Sequence, residues 1–195
     1  VGSPGHNMIK ISHNSIGVNY IDTYHRSGLY PIEQSSFTPG MEAVGVVTEV
    51  GRSIKNFKEG DRVCYGNGPI GAYSTERLIS PDTVFKIPNS INDDEISGSV
   101  LRLLTVWYLT RKLHKIKPDD TILFHAAAGG VGLLFCQWAK AIGASVIGTV
   151  GSYEKEVLAK NNGCEYTINY KEKDFVSEVK KVTNNTGVSV VYDGV

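Results

Sequence analysis

The chain has 195 residues, enough for one or two domains with a sizeable core. Its 20 Lys and Arg balance its 20 Asp and Glu, so no positive excess argues for nucleic acid or an anionic membrane surface. No apolar run reaches membrane-spanning length and no signal peptide is visible. Cys64, Cys136 and Cys164 lie too far apart for a disulfide framework or a metal-ligand spacing, which suits free thiols in a reducing compartment.

Residues 8 to 90 alternate β-branched runs with glycine turns. Strands are expected at Met8–Ser12, Val44–Val50, Asp61–Tyr65 and Ala72–Ile79, and Gly51, Gly60, Gly66, Gly68 and Gly71 punctuate them. This pattern predicts a compact, mostly antiparallel β domain. Asn92-Asp-Asp-Glu95 is a helix-start signal, with acids at the positive end of the dipole. A long helical pattern follows through Leu101, Leu104, Trp107, Tyr108 and Leu109. Basic residues from Arg111 to Lys115 close it and Pro118 stops it.

The second half alternates strand-like and helix-like segments. Ile122, Leu123 and Phe124 form a short apolar run of the kind buried in parallel sheets. Further strands are expected at Ser145–Val150, Tyr166–Asn169 and Val188–Tyr192. The alternation predicts a parallel, doubly wound sheet. After the first of these strands, Ala127, Gly129 and Gly132 stand at the spacing of a dinucleotide-binding turn, with Ala in place of the first glycine. Small residues there let a diphosphate approach the backbone, and the following helix offers it free N–H groups and partial positive charge. The plain alternative is a tight strand-to-helix turn in any α/β protein.

The residue pattern resembles the zeta-crystallin-like quinone oxidoreductases of the medium-chain dehydrogenase/reductase superfamily. The motif is carried by Asp120, Leu123, Ala127-Ala128-Gly129-Gly130, Gly132, Gln137 and Lys140. The first half adds Gly17-Val-Asn-Tyr-Ile-Asp-Thr-Tyr24, Arg26-Ser-Gly-Leu-Tyr-Pro31, Pro39-Gly-Met-Glu-Ala-Val-Gly45 and Gly60-Asp-Arg-Val63. The resemblance implies an α/β protein. A GroES-like β domain, incomplete at its N-terminus and covering residues 1–102, precedes the first part of a Rossmann domain over residues 103–195. NADPH would bind in the cleft between the two. The chain is expected to be a piece of a longer enzyme, because a doubly wound sheet normally needs two halves to carry its cofactor.

Two positions bear on metal. Where zinc-binding members carry a cysteine and a histidine, this chain has Asn19 and Met41, neither a good zinc ligand. His6, His13, His25, His114 and His125 show no ligand spacing and are expected on the surface or in loops. A zinc-free enzyme is therefore expected, with Glu42 a buried structural carboxylate.

The second strand ends Gly148-Thr-Val-Gly-Ser152 without the acid that usually holds the ribose hydroxyls of NAD. Lys155 follows one helix turn later, where a cation suits a 2′-phosphate, and Ser152 can add a donor. The alternatives are a solvated helix lysine paired with an acid, or Glu154 acting as the acid of an NAD site. The resemblance places Lys155 and Tyr170 at the phosphate end of NADPH, with Ala128, Gly129, Gly130, Val131 and Gly132 forming the diphosphate turn. Asn19, Asp22 and Thr105 would lie near the nicotinamide, and Tyr24 and Tyr30 would line the substrate cleft. Asn19 and Tyr30 could bond a carbonyl oxygen as negative charge builds, and Tyr30 could relay a proton. Without the resemblance, Asn19-x-x-Asp22 is a common loop turn, the tyrosines fill a small β core, and Thr105 is helix packing.

The function expected is reduction of a quinone, or another electron-poor small molecule, by NADPH in the cytoplasm, the full-length enzyme being a homodimer. A reductase of alkenals or enones is the rival. A third possibility is a non-catalytic nucleotide- or RNA-binding protein of the crystallin kind.

Overall fold

The computed structural model describes residues 1–194. The chain forms two compact units, Val1–Leu104 and Thr105–Val195.

The first unit is built on strand β1 (Ile9–Gly17), helix α1 (Tyr20–Ser27), and strands β2 (Glu42–Val50), β3 (Arg62–Tyr65), β4 (Glu76–Ile79) and β5 (Phe85–Lys86). The strands make one antiparallel sheet in the order β4-β1-β2-β3-β5. Successive side chains of a strand point to opposite faces. Ile9, Ile11, Ala43, Val47, Val63, Tyr65 and Ile79 therefore bury one face, while Val44, Cys64 and Ile87 pack with Val100 on the other.

Three details depart from the sequence reading. Asn19-x-x-Asp22 does not sit in a loop; it starts α1, with Asn19 as N-cap and Gly28 closing the helix at φ +77°. The expected strand Ala72–Ile79 begins only at Glu76, because the amides of Gly71, Ala72 and Tyr73 turn away to the carbonyls of Gly40 and Pro39. The expected single helix from Asn92 is broken. Asn92 and Glu95 form a reciprocal capping box for a one-turn helix, α2 (Asp93–Ile96). Ser97 is then extended, Gly98 takes φ +73°, and α3 (Val100–Tyr108) starts afresh before a wide turn, Leu109–Leu113.

The second unit holds β6 (Thr121–Phe124), α4 (Gly130–Ile142), β7 (Ser145–Val150), α5 (Tyr153–Asn161), β8 (Tyr166–Asn169), α6 (Phe175–Val182) and β9 (Val190–Tyr192). All four strands are parallel, in the order β8-β7-β6-β9. Phe124, Phe135 and Tyr192 form the aromatic centre of the core under α4. Leu123, Ile147, Ile168 and Val179 fill the face under α6. The direction of winding reverses between β6 and β9, and in open parallel sheets ligands settle at the carboxyl ends of the strands beside such a reversal.

Candidate functional site

In the second unit the chain leaves β6 through a tight turn. The His125 N–H donates to the Tyr192 carbonyl, and the Ala127 N–H to that of Thr149. Ala126 holds φ +56°, a left-handed conformation that costs a residue with a Cβ. Gly129 has an ordinary extended backbone, φ −79° and ψ 169°. Its smallness serves approach instead, because a Cβ there would stand 3.1 Å from the Ala126 carbonyl oxygen. A Cβ on Gly132 would stand 2.6 Å from the Ala127 carbonyl oxygen, so this glycine lets α4 lie directly on the turn. Ladder bonding in α4 starts with the Leu133 N–H to the Gly129 carbonyl. The amides of Gly130, Val131 and Gly132 precede that bond, at the positive end of the helix dipole.

A cavity of ≈ 630 Å³ opens at these strand ends, lined by Ala126, Ala128, Gly129, Thr149, Lys155 and Tyr170 among others. Lys155 stands in the first turn of α5, and no ion pair holds its ammonium among the described residues. The Tyr170 hydroxyl lies over Gly151, where a Cβ would come within 2.6 Å of it. Ser152 is the N-cap of α5: its oxygen accepts from the Lys155 N–H at 3.4 Å, and it is outside the cavity lining. The Ser152 hydroxyl also bonds the exposed Glu154, whose carboxyl is held below the usual carboxylate range, and Glu154 does not line the cavity either. Thr105 is half-buried in α3.

His125, which the sequence places only among surface or loop histidines, lines the cavity with Thr149 and Phe175, which the sequence does not point to. Thr149 Oγ1 is 3.0 Å from His125 Nδ1, and Phe175 meets the imidazole edge-on with ring centroids 5.0 Å apart. The position of His125 at the last turn before the glycines is a local signal. Phe175 carries none, since fifty residues separate it from His125 in the chain.

The first unit gathers its own set. Asn19 and Asp22 are 8% and 5% exposed. The Asn19 side-chain amide donates to Glu42 Oε2 at 2.6 Å, and the other Glu42 oxygen accepts from the Val100 N–H at 2.7 Å. Glu42 is fully buried, and only a glycine at position 17 admits it, since a Cβ there would lie 2.6 Å from the carboxyl carbon. Asp22 Oδ2 accepts from the Asn19 N–H and from the Tyr73 hydroxyl, each at 2.9 Å. Burial first, and then the Asp22 carboxylate, push the Tyr73 hydroxyl up to about 12. Tyr73 is fixed from below by Gly40 at φ +93°, where a Cβ would stand 2.3 Å from its ring. Tyr24 packs against Tyr20 and Tyr30 at centroid distances of 5.7 and 5.3 Å, and Tyr30 is half exposed. The three form an aromatic ladder instead of filling the sheet core.

His13 is also corrected. It lies in β1, half-buried, with Nδ1 2.7 Å from the Ser74 carbonyl and Nε2 2.9 Å from the Tyr65 hydroxyl. A carbonyl only accepts, so Nδ1 carries the proton and Nε2 accepts from Tyr65. Burial pushes this imidazole below its ordinary value.

Residues 4–89 match the alcohol dehydrogenase GroES-like domain, and residues 130–195 match the zinc-binding dehydrogenase family. Quinone oxidoreductase 1 of Escherichia coli is 48% identical over 98% of this chain and 59% of its own length. The 2-haloacrylate reductase of a Burkholderia species is 43% identical over all of this chain. The solved structure of E. coli quinone oxidoreductase complexed with NADPH superposes with a TM-score of 0.96 at 47% identity, covering 99% of this chain and 59% of that one. The chain thus spans about three fifths of the length of the relatives it matches.

Proposed function

The chain belongs to the medium-chain dehydrogenase/reductase superfamily, and from that premise we propose that it is the greater part of an NADPH-dependent quinone reductase. The observation that carries this reading is the cavity beside the β6–α4 turn, which Lys155 and Tyr170 also line. The E. coli relative's complex with NADPH supports the choice of coenzyme.

The residues fit that coenzyme. Gly129 leaves the backbone approachable, and the amides at the start of α4 suit a diphosphate. Lys155 and Tyr170 suit a 2′-phosphate, to which Ser152 would add a hydroxyl donor, and Glu154 does not line the cavity. Asn19, Asp22 and Thr105 would serve the nicotinamide end. When bound, the coenzyme supplies a hydride; the protein positions it, excludes water and manages the proton. Tyr24 and Tyr30 would hold the acceptor, Tyr30 by a hydrogen bond that strengthens as charge builds on the acceptor oxygen.

Zinc does not fit the residues at the corresponding positions. The Asn19 amide is already donated to Glu42, and Met41 offers only a thioether. No group of three His, Cys, Asp or Glu stands ready for a metal among the described residues. Elemental analysis of the full-length protein should find no stoichiometric zinc.

A second reading, reduction of an electron-poor alkene, is favoured by the 2-haloacrylate reductase at 43% identity. Side-by-side turnover of a benzoquinone and a 2-alkenal by the full-length protein separates the two. Turnover of the alkenal alone defeats the quinone reading. No helix among the described residues is long and apolar enough to cross a membrane. A cytoplasmic homodimer that binds no nucleic acid completes the proposal.

A further inference from the structure

Three buried side-chain polar atoms have no hydrogen-bond partner among the described residues, and two of them, Asp22 Oδ1 and His25 Nδ1, lie three residues apart on α1. Residues so spaced share one helix face, with Cβ atoms about 5–6 Å apart. The two unpaired atoms therefore belong to neighbouring side chains on one face of α1. Leaving both unpaired costs about 1–3 kcal/mol each in general, which a fold tolerates where the groups have work to do.

Behind Asp22 stand Tyr73, whose hydroxyl donates to Oδ2, and the Asn19 N–H on the same oxygen. In front, the His25 ring lies 6.3 Å from that of Tyr30, which is half exposed. The other titratable groups around the pair are Tyr24 and Arg26 on α1 and, through Asn19, Glu42 on β2.

We propose that Asp22 and His25 act as one proton-holding pair that resupplies the Tyr30 hydroxyl during reduction of the acceptor. This rests on the reductase reading above. The balance is as follows. The acceptor would take a hydride, with its two electrons, from the coenzyme, whose C–H bond breaks as one bond to hydrogen forms on the acceptor, and a proton from Tyr30, whose O–H bond breaks as a second bond to hydrogen forms there. The His25 imidazolium returns a proton to the Tyr30 oxygen and becomes neutral. It then takes a proton from solvent, with Nδ1–H held toward Asp22 Oδ1. His25 is thus a positioning residue acting through Tyr30, with no contact to the acceptor itself.

The test uses the full-length enzyme with saturating NADPH and a benzoquinone. In His25→Gln, kcat should fall roughly tenfold to a hundredfold, with KM for NADPH unchanged. In His25→Ala, added imidazole should restore turnover, an effect that a merely structural role would not give. A His25→Gln enzyme with the parental kcat overturns the pair, as does a His25→Ala enzyme whose lost turnover imidazole leaves unchanged. A parent enzyme that oxidises NADPH with neither quinones nor enals defeats the reductase reading itself, which is a separate result.

Discussion

Gly148 faces Ala127 so closely that a Cβ on Gly148 would stand 2.4 Å from the Cβ of Ala127. The two residues sit on β7 and on the turn after β6, and Ala127 is fully buried. The alanine that replaces the first glycine of the turn is therefore accommodated by a glycine on the neighbouring strand. The same absent side chain also leaves room for Cys164 Sγ at 2.7 Å from that point. Gly148→Ala should overpack this junction and lower stability by about 1–3 kcal/mol. Chemical denaturation would read it, and an unchanged midpoint would contradict the contact.

Gly129 and Gly132 should separate binding from folding. Gly129→Val meets only the Ala126 carbonyl oxygen near its Cβ, so the thermal transition should persist while coenzyme binding is lost. Gly132→Val drives a side chain into two carbonyls at 2.6 and 2.7 Å and should lower Tm as well. Calorimetry beside coenzyme titration distinguishes the two variants, and retained affinity in Gly129→Val would remove the turn from the site.

Lys155→Ala should weaken NADPH roughly tenfold to a hundredfold, the range of a lost hydrogen bond between charged groups, and change NADH little. Titrating the full-length variant with both coenzymes is the measurement. Equal losses would show that the lysine does not read the phosphate.

Glu42→Gln should destabilise the first unit by about 1–3 kcal/mol. Its carboxylate accepts from both the Asn19 amide and the Val100 N–H, and an amide in its place presents a donor to one of these two donors. Urea denaturation of the variant measures the loss, and an unchanged midpoint would show the site to be insensitive to that mismatch.

His13 predicts a pH dependence with a definite sign. Its folded imidazole is pushed below the ordinary value of 6.5, mainly by burial. The unfolded chain then binds the proton more readily, so the contribution of His13 is present above about 6.5 and lost as pH falls from there through the folded value. The lowered carboxyls of Asp61, Asp93 and Asp120 act in a different window, below their ordinary value of 3.8. Urea midpoints of the parent and of His13→Gln between neutral pH and about 5 should converge on acidification. A constant difference would assign the acid sensitivity elsewhere.

Local pattern alone determined much of this molecule. The apolar runs at Ile122–Phe124, Ser145–Val150 and Tyr166–Asn169 reappear as β6, β7 and β8, and the turn between Ala127 and Gly132 starts α4. Period and turn chemistry are properties of neighbouring residues, so a sequence displays them directly. Tertiary structure decided the rest, because the partners lie far apart along the chain. Asn19 became a helix cap whose amide reaches Glu42, His13 became a half-buried strand residue between Ser74 and Tyr65, and His125 met Phe175 at the cavity wall. The amides of residues 71–73 chose the carbonyls of Pro39 and Gly40 over the sheet, and Gly98 divided a helix that its flanking pattern would have continued. Such choices depend on which distant donor, acceptor or ring is brought alongside, and the residues next in sequence do not carry that information.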